Sequence, residues 1–219
     1  MKILLVSATK FEVAPLLKKF KKISSNGNLV SYCFGKLSVD VLVTGIGMTS
    51  TALHLGKVLN RKYDWAINAG MAGSFRKNIP IGSVINVTSD CFADFGAEDG
   101  NKFLTAEEIG LGQITSYQPQ IKSKAIKKNL CVLPQVKGIT VNTVHGNNTS
   151  IKKVIKKFNP DIESMEGAAF FFACSHEKIS CIQIRAVSNY VERRNKKKWE
   201  IKIALKNLNI AIETILNSL

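Results

Sequence analysis

Glu163-Ser164-Met165-Glu166-Gly167-Ala168-Ala169-Phe170-Phe171-Phe172-Ala173-Cys174-Ser175-His176 is the stretch whose reading decides the architecture of this chain. From Gly167 to His176 it is apolar nearly all round, which predicts a buried helix rather than an amphipathic one on a surface. Directly after it, Cys181–Val187 reads as a strand that ends in polar residues, Ser188 and Asn189. The same alternation runs outward in both directions. Towards the N-terminus lies a helix capped by Thr149 or Ser150, with Ile151, Val154, Ile155 and Phe158 at helical spacing. Before it come strands at Trp65–Asn68, Ser83–Val87 and Gly138–Thr143, and a helix over Met48–Asn60. Earlier still are strands at Lys2–Ser7, Leu29–Phe34 and Leu37–Thr44, with a helix from about Thr9 to Phe20. A long amphipathic helix, Trp199–Leu216, closes the chain, and residues 93–135 lack clear periodicity. Alternating strands and helices predict an α/β layered fold with a mainly parallel central sheet, which binds ligands at the carboxyl ends of its strands.

Composition narrows the function classes. A chain of 219 residues, 45% of them hydrophobic, suits one large domain with a sizeable core. Met1–Val6 is too brief an apolar run for a signal peptide or a membrane span. The five cysteines (Cys33, Cys91, Cys131, Cys174 and Cys181) include no C-x-x-C pair, which predicts a reducing cytosol, no disulfide framework and no zinc site. The net charge of +15 gathers in Lys18–Lys22, Lys122–Lys128, Lys152–Lys157 and Arg193–Lys198. No helix-turn-helix, zinc-finger or aromatic-basic motif accompanies these clusters, so they read as a solvated, Lys-rich surface rather than a nucleic-acid interface.

The chemistry is sought where strands hand over to loops. Thr44-Gly45-Ile46-Gly47-Met48-Thr49-Ser50 is a glycine turn that lacks the third glycine of a dinucleotide site, yet its backbone could hold a phosphate or a sugar hydroxyl. Gly70-Met71-Ala72-Gly73-Ser74 lets backbone approach a ligand closely, or forms a tight turn. Thr9-x-x-Glu12 has capping-box spacing, so by itself Glu12 reads as a helix cap. Glu163 and Glu166 flank Met165 just before the buried helix, where charge is costly unless paired or used; acidic residues favouring a helix N-terminus are the plainer account. A carboxylate there can accept from two adjacent ribose hydroxyls, and a methionine gives a soft surface under a sugar ring. Arg185-Ala186-Val187-Ser188-Asn189 offers an amide able to read a heteroaromatic edge, or a turn that satisfies its own backbone. His145, in Val144-His145-Gly146, is placed to touch a ligand or, as an isolated loop histidine more often does, to serve the structure.

In order and position these segments resemble the family of purine nucleoside phosphorylases and nucleosidases along nearly the whole chain. Ala93–Gly100, Glu163–Ala169 and Ser188–Asn195 with Trp199 are similar to its futalosine hydrolase branch in particular. The resemblance implies a three-layer α/β/α sandwich with a central mixed, mainly parallel sheet, formed as a single domain over residues 1–219. It implies hydrolysis of the N-glycosidic bond of futalosine, releasing hypoxanthine without a metal or cofactor. Glu12 then matches the family's water-activating carboxylate, and Met165 and Glu166 match the residues that pack on ribose and bind its hydroxyls. Gly45, Gly47, Met71, Ala72, Gly73, Arg185 and Ser188 are the further expected substrate-binding positions. Asn189 stands where methylthioadenosine/S-adenosylhomocysteine nucleosidases carry the aspartate that protonates the purine, which counts against an adenine-releasing enzyme. The expected partners are a small nucleoside and further copies of the chain, a dimer at least, with neither nucleic acid nor membrane. The rivals are a phosphorolytic enzyme, an adenine-releasing nucleosidase, and a non-catalytic nucleoside- or nucleic-acid-binding protein.

Overall fold

In the computed structural model, which describes residues 1–60, 62–111, 116–118, 130 and 132–219, Ile3, Leu4, Leu5 and Val6 are all fully buried. Successive side chains of a strand point to opposite faces, so this strand has cover on both sides. It is β1 (Lys2–Ser7), followed by α1 (Lys10–Leu17), β2 (Lys21–Asn26), β3 (Leu29–Phe34), β4 (Leu37–Val43), α2 (Met48–Val58) and β5 (Trp65–Ser74). The chain continues with β6 (Val84–Phe92), β7 (Gly96–Asp99), β8 (Lys102–Thr105), β9 (Ser116–Tyr117) and β10 (Gln135–Thr140). It ends with α3 (Asn148–Phe158), β11 (Ile162–Ser164), α4 (Gly167–Glu177), β12 (Ser180–Tyr190), a 3-10 turn at Lys196–Lys198 and α5 (Ile201–Asn217). The Lys122–Lys128 cluster and Cys131 lie outside the described residues.

The large sheet runs β11-β10-β6-β12-β5-β1-β4-β3-β2, and β7 with β8 forms a separate hairpin. Pairing is parallel for β4–β1, β1–β5, β5–β12, β6–β10 and β10–β11. It is antiparallel between β12 and β6 and along the β4–β3–β2 edge. β11 also pairs antiparallel with β5, through Glu163 against Gly73, so one end of the sheet curls back on itself. That closure carries the sequence before α4 to the carboxyl end of β5.

Two apolar layers sandwich the sheet. Ile3 and Leu5 pack with Val13 and Leu16 of α1 and Ala204, Leu208 and Ile212 of α5. Leu4 and Val6 pack on the other face with Leu55 of α2 and Phe170, Phe171 and Cys174 of α4. The all-round apolar α4 is accordingly buried at Gly167–Phe171 and Cys174.

Three local expectations change. β5 does not turn at Gly70; it continues to Ser74, because Gly70, Met71 and Ala72 stay in register with Arg185, Ala186 and Val187 of β12. Asn189 likewise lies in a strand rather than a turn, just past a register shift between Val187 and Asn189. Asn147, not Thr149 or Ser150, caps α3, its side-chain oxygen accepting from Thr149 N at 2.8 Å.

Candidate active site

Glu12 is 6% exposed and is held from two directions. Its Oε2 accepts from Thr9 N and from Ser7 Oγ, each at 2.9 Å, so the cap foreseen from Thr9-x-x-Glu12 is present. Its Oε1 instead accepts from Met71 N of β5 at 3.2 Å. One oxygen therefore serves the helix start, while the other faces the carboxyl end of the sheet.

Glu166 is the N-cap residue of α4, with non-helical backbone, but its side chain makes no capping hydrogen bond. It turns across the sheet end, where Oε1 accepts from Gly47 N at 3.1 Å and Oε2 lies 3.7 Å from Arg185 Nη1. Gly45 and Gly47 have φ of +84° and +98°, backbone that side chains rarely adopt, and this presents the Gly47 N–H to the carboxylate. Burial pushes the Glu166 carboxyl above its ordinary range; Arg185 and the Gly47 N–H oppose the rise, and the nearby Glu12 charge adds to it. The two carboxylates thus share one electrostatic environment.

Arg185 is 1% exposed and directs its guanidinium inward, Nη2 donating to Asn68 Oδ1 at 2.5 Å and to Gln183 Oε1 at 3.5 Å. It lies across Gly70, where a Cβ would come within 2.0 Å of Nη1 and 3.2 Å of Glu12 Oε1. Gly70 is explained by this close approach, not by a turn. Gln183 in turn donates to Asp90 at 2.8 Å, and Thr140 Oγ1 donates to Asp90 at 2.9 Å while accepting from Ala168 N at 2.8 Å. Burial lifts Asp90 to about 6, and this network ties the first turn of α4 to β6 and β10.

Beside this cluster opens a cavity of about 410 Å³, a volume suited to a small ligand. Gly73, His145, Glu163, Asn189, Arg194 and Trp199 are among its walls, whereas Glu12, Glu166 and Met165 are not. Gly70 and Gly73 stand three strand residues apart, so the carboxylate cluster and the cavity are roughly 10 Å from one another along β5. Asn189 pairs with Gly73, and a Cβ on Gly73 would lie 3.3 Å from Asn189 Nδ2 and 3.7 Å from Glu163 Cγ. The amide is partly engaged: Oδ1 accepts from Ser188 Oγ at 2.8 Å and Nδ2 donates to Tyr190 O at 3.0 Å. One N–H and one lone pair remain to meet a ligand. Met71 and Met165 are half-buried, while the Ala72 methyl packs into the core and its carbonyl faces Ser188.

Sequence reasoning did not foresee the pairing of Glu163 with His145. Glu163 is 4% exposed and accepts from His145 N at 3.0 Å and from His145 Nδ1 at 2.6 Å. The partners stand 18 residues apart, on different elements, with no periodicity to link them. The Asp90 network was equally silent, being built from polar residues whose partners come from other strands. Among the described residues, no group of three or more His, Cys, Asp or Glu side chains is placed to hold a metal.

The chain belongs to the phosphorylase superfamily, whose family profile matches residues 2–218. Within that superfamily it is 29% identical to the futalosine hydrolase of Streptomyces coelicolor over 181 residues, covering 79% of this chain and 76% of that one. It is 27% identical over 227 residues to the 5′-methylthioadenosine/S-adenosylhomocysteine nucleosidase of Buchnera aphidicola subsp. Schizaphis graminum, covering 95% and 92% of the two chains. The fold matches that of Helicobacter pylori futalosine hydrolase with a TM-score of 0.82 and 15% identity, covering 100% of this chain and 98% of that one.

Proposed function

We propose that this chain is a nucleosidase that hydrolyses the N-glycosidic bond of futalosine to hypoxanthine and dehypoxanthine futalosine, a step of menaquinone biosynthesis. The observation that carries the reading is two buried carboxylates, Glu12 and Glu166, fixed in one polar cluster beside a cavity whose wall presents an amide at Asn189. The similarity to futalosine hydrolases supports the choice of nucleoside.

Glycosidic cleavage develops positive charge on the ribose. Glu166 accepts from the ribose hydroxyls with Met165 packed on the sugar, and Glu12 takes a proton from the attacking water. The Gly45–Gly47 turn and the Gly70–Gly73 segment bring backbone close to the nucleoside, and Ser188 fixes the amide of Asn189. Arg185 acts through Glu166. That arrangement argues against phosphorolysis, since the guanidinium next to the carboxylates is directed at Asn68, Gln183 and Glu166 rather than at an anion site. The lysines and arginines at the cavity mouth raise the local concentration of anionic substrates.

Incubation with futalosine, aminofutalosine, inosine and methylthioadenosine in phosphate-free, metal-chelated buffer tests the assignment. Futalosine is expected to give hypoxanthine and a free sugar product. A strict phosphate requirement, or turnover of methylthioadenosine but not futalosine, overturns it.

Base selection follows from Asn189. The Asn189 amide can donate to the imidazole edge or to a 6-oxo group but cannot itself supply a proton, and a 6-oxopurine is a better leaving group than a 6-aminopurine. The natural chain is expected to prefer futalosine over aminofutalosine. Asn189→Asp is expected to narrow or reverse that preference by roughly ten- to a hundredfold in kcat/KM, as a buried donor–acceptor mismatch costs about 1–3 kcal/mol. An unchanged ratio of kcat/KM values would place base selection elsewhere.

The enzyme is expected to act in the cytosol as a homo-oligomer, a dimer at least. Ile46, Leu53, Phe95 and Phe172 are 63%, 55%, 46% and 40% exposed. Met48, Phe92, Phe95 and Phe172 line one apolar hollow between α2, the end of β6 and α4. Apolar surface of this extent favours association. Light scattering at micromolar concentration should give at least twice the mass of the 24.1 kDa chain, and Leu53→Glu should lower it. A fully active natural monomer would refute the dimer. Cys174 and Cys181 as free buried thiols suit a reducing compartment, and no helix among the described residues is long and apolar enough to cross a membrane.

A further inference from the structure

Asn189 leaves the departing purine without an acid, yet the same cavity contains one. We propose that His145, oriented by Glu163, is the general acid that protonates the leaving base. The inference rests on the nucleosidase reading above, and it adds a catalytic residue to it.

The geometry has the form of an oriented acid. A carboxylate oxygen only accepts, so the 2.6 Å contact places a proton on His145 Nδ1 and leaves Nε2 as the remaining polar atom of the ring. Glu163 is anchored on β11, which pairs with β5, and its other oxygen accepts from the His145 backbone N–H. The loop would be held by that backbone bond alone; the ring contact in addition fixes the imidazole. Phe75 meets the ring edge-on at 6.2 Å between centroids, limiting its rotation. His145, Glu163, Asn189 and Gly73 line one cavity, so a purine hydrogen-bonded to Asn189 lies within the space His145 faces.

Charged groups of both signs surround that space, and one of them touches the imidazole. Lys77, Arg193, Arg194 and Lys198 line the same cavity, while Glu163 is buried and in direct contact with the ring. Glu192 is drawn to Lys77 at 3.3 Å and Lys198 at 3.1 Å, while Arg194 lies over Trp199 at 5.2 Å, so Glu163 is the acid directed at the imidazole. When the bond from ribose C1′ to the purine breaks, its electron pair passes to the base, and the imidazolium Nε2 proton goes to the imidazole edge of that base. Water supplies hydroxide to C1′ and its proton to Glu12. The cycle closes when Glu12 releases its proton to solvent and His145 takes one back through the open cavity.

The test compares the natural chain, His145→Gln and Glu163→Gln on futalosine, or on whichever nucleoside the natural chain cleaves, so the result does not depend on futalosine being the substrate. Both variants are expected to lose roughly 10²-fold in kcat with KM within about threefold, and to lose the alkaline limb of the kcat–pH profile. Binding of hypoxanthine is expected to shift the His145 Nε2 resonance in a nitrogen NMR spectrum, a readout independent of turnover. Retention of kcat within threefold by folded His145→Gln, an effect on KM alone, or a preserved alkaline limb would overturn the proposal. So would an unmoved Nε2 resonance on saturation with hypoxanthine. Should Glu163→Gln fail to fold, His145→Gln and the resonance decide.

Discussion

Glu12→Gln is expected to lower kcat by about 10²-fold or more while leaving substrate affinity largely intact, because general-base activation of water contributes roughly 10²–10⁴-fold. The structure makes this substitution informative. A Gln oxygen can still accept from Thr9 N, so the helix start is kept. The amide nitrogen then faces Met71 N–H, a donor against a donor in place of the 3.2 Å bond, at a cost of about 1 kcal/mol and a few degrees of melting temperature. Loss of rate without loss of fold identifies the base. Glu166→Gln should damage both KM and kcat, since its carboxylate acts on the sugar in ground and transition states alike. Near-natural turnover by folded Glu12→Gln would return Glu12 to a purely capping role.

Arg185→Met is expected to be the most destabilising change near the site. The guanidinium is 1% exposed and satisfies Asn68, Gln183 and Glu166 together. Breaking a buried pair from one side costs about 3–5 kcal/mol, which for a chain of this size is a fall of roughly 6–20 °C in melting temperature. The sign of the pH dependence follows from Glu166, whose carboxyl is already raised by burial and is lowered chiefly by Arg185. Without the arginine its folded-state pKa rises further above the unfolded value, so the native variant holds that proton longer. The stability deficit should be smallest at acidic pH and grow as pH rises through the Glu166 titration. Activity should show the counterpart, an acidic limb of kcat/KM displaced to higher pH, because ribose binding needs the carboxylate. Differential scanning calorimetry from pH 5 to 8 and a kcat/KM profile check both. A deficit independent of pH would mean that Glu166 is not coupled to Arg185.

The sequence by itself determined the layers. Hydrophobic periodicity is local, so β1, the β3–β4 pair, α2, α4 and α5 were legible within a few residues of their observed bounds. Short strands without alternation were not: β2 is exposed throughout, and β11 spans only Ile162–Ser164. The glycine run at Gly70–Gly73 was legible as a place of close approach, but its partner was not. A tight turn and a strand pressed by an arginine both require small residues, and only the register of β5 against β12 distinguishes them.

The same division holds at the site. Glu12, Glu166 and Asn189 were visible as polar residues near strand ends, but alone they read equally well as a cap, a helix-start acid and a turn, and only the resemblance to the nucleosidase family gave them roles. What tertiary structure alone decided is which groups meet. It gave Glu12 its second contact at Met71, turned Glu166 to Gly47 and Arg185, and joined Glu163 to His145. Those contacts depend on the curl of β11 onto β5 and on the order of strands in the sheet. Both are set by long-range pairing, whose energy comes from residues far apart in the chain and leaves no periodic mark on either segment.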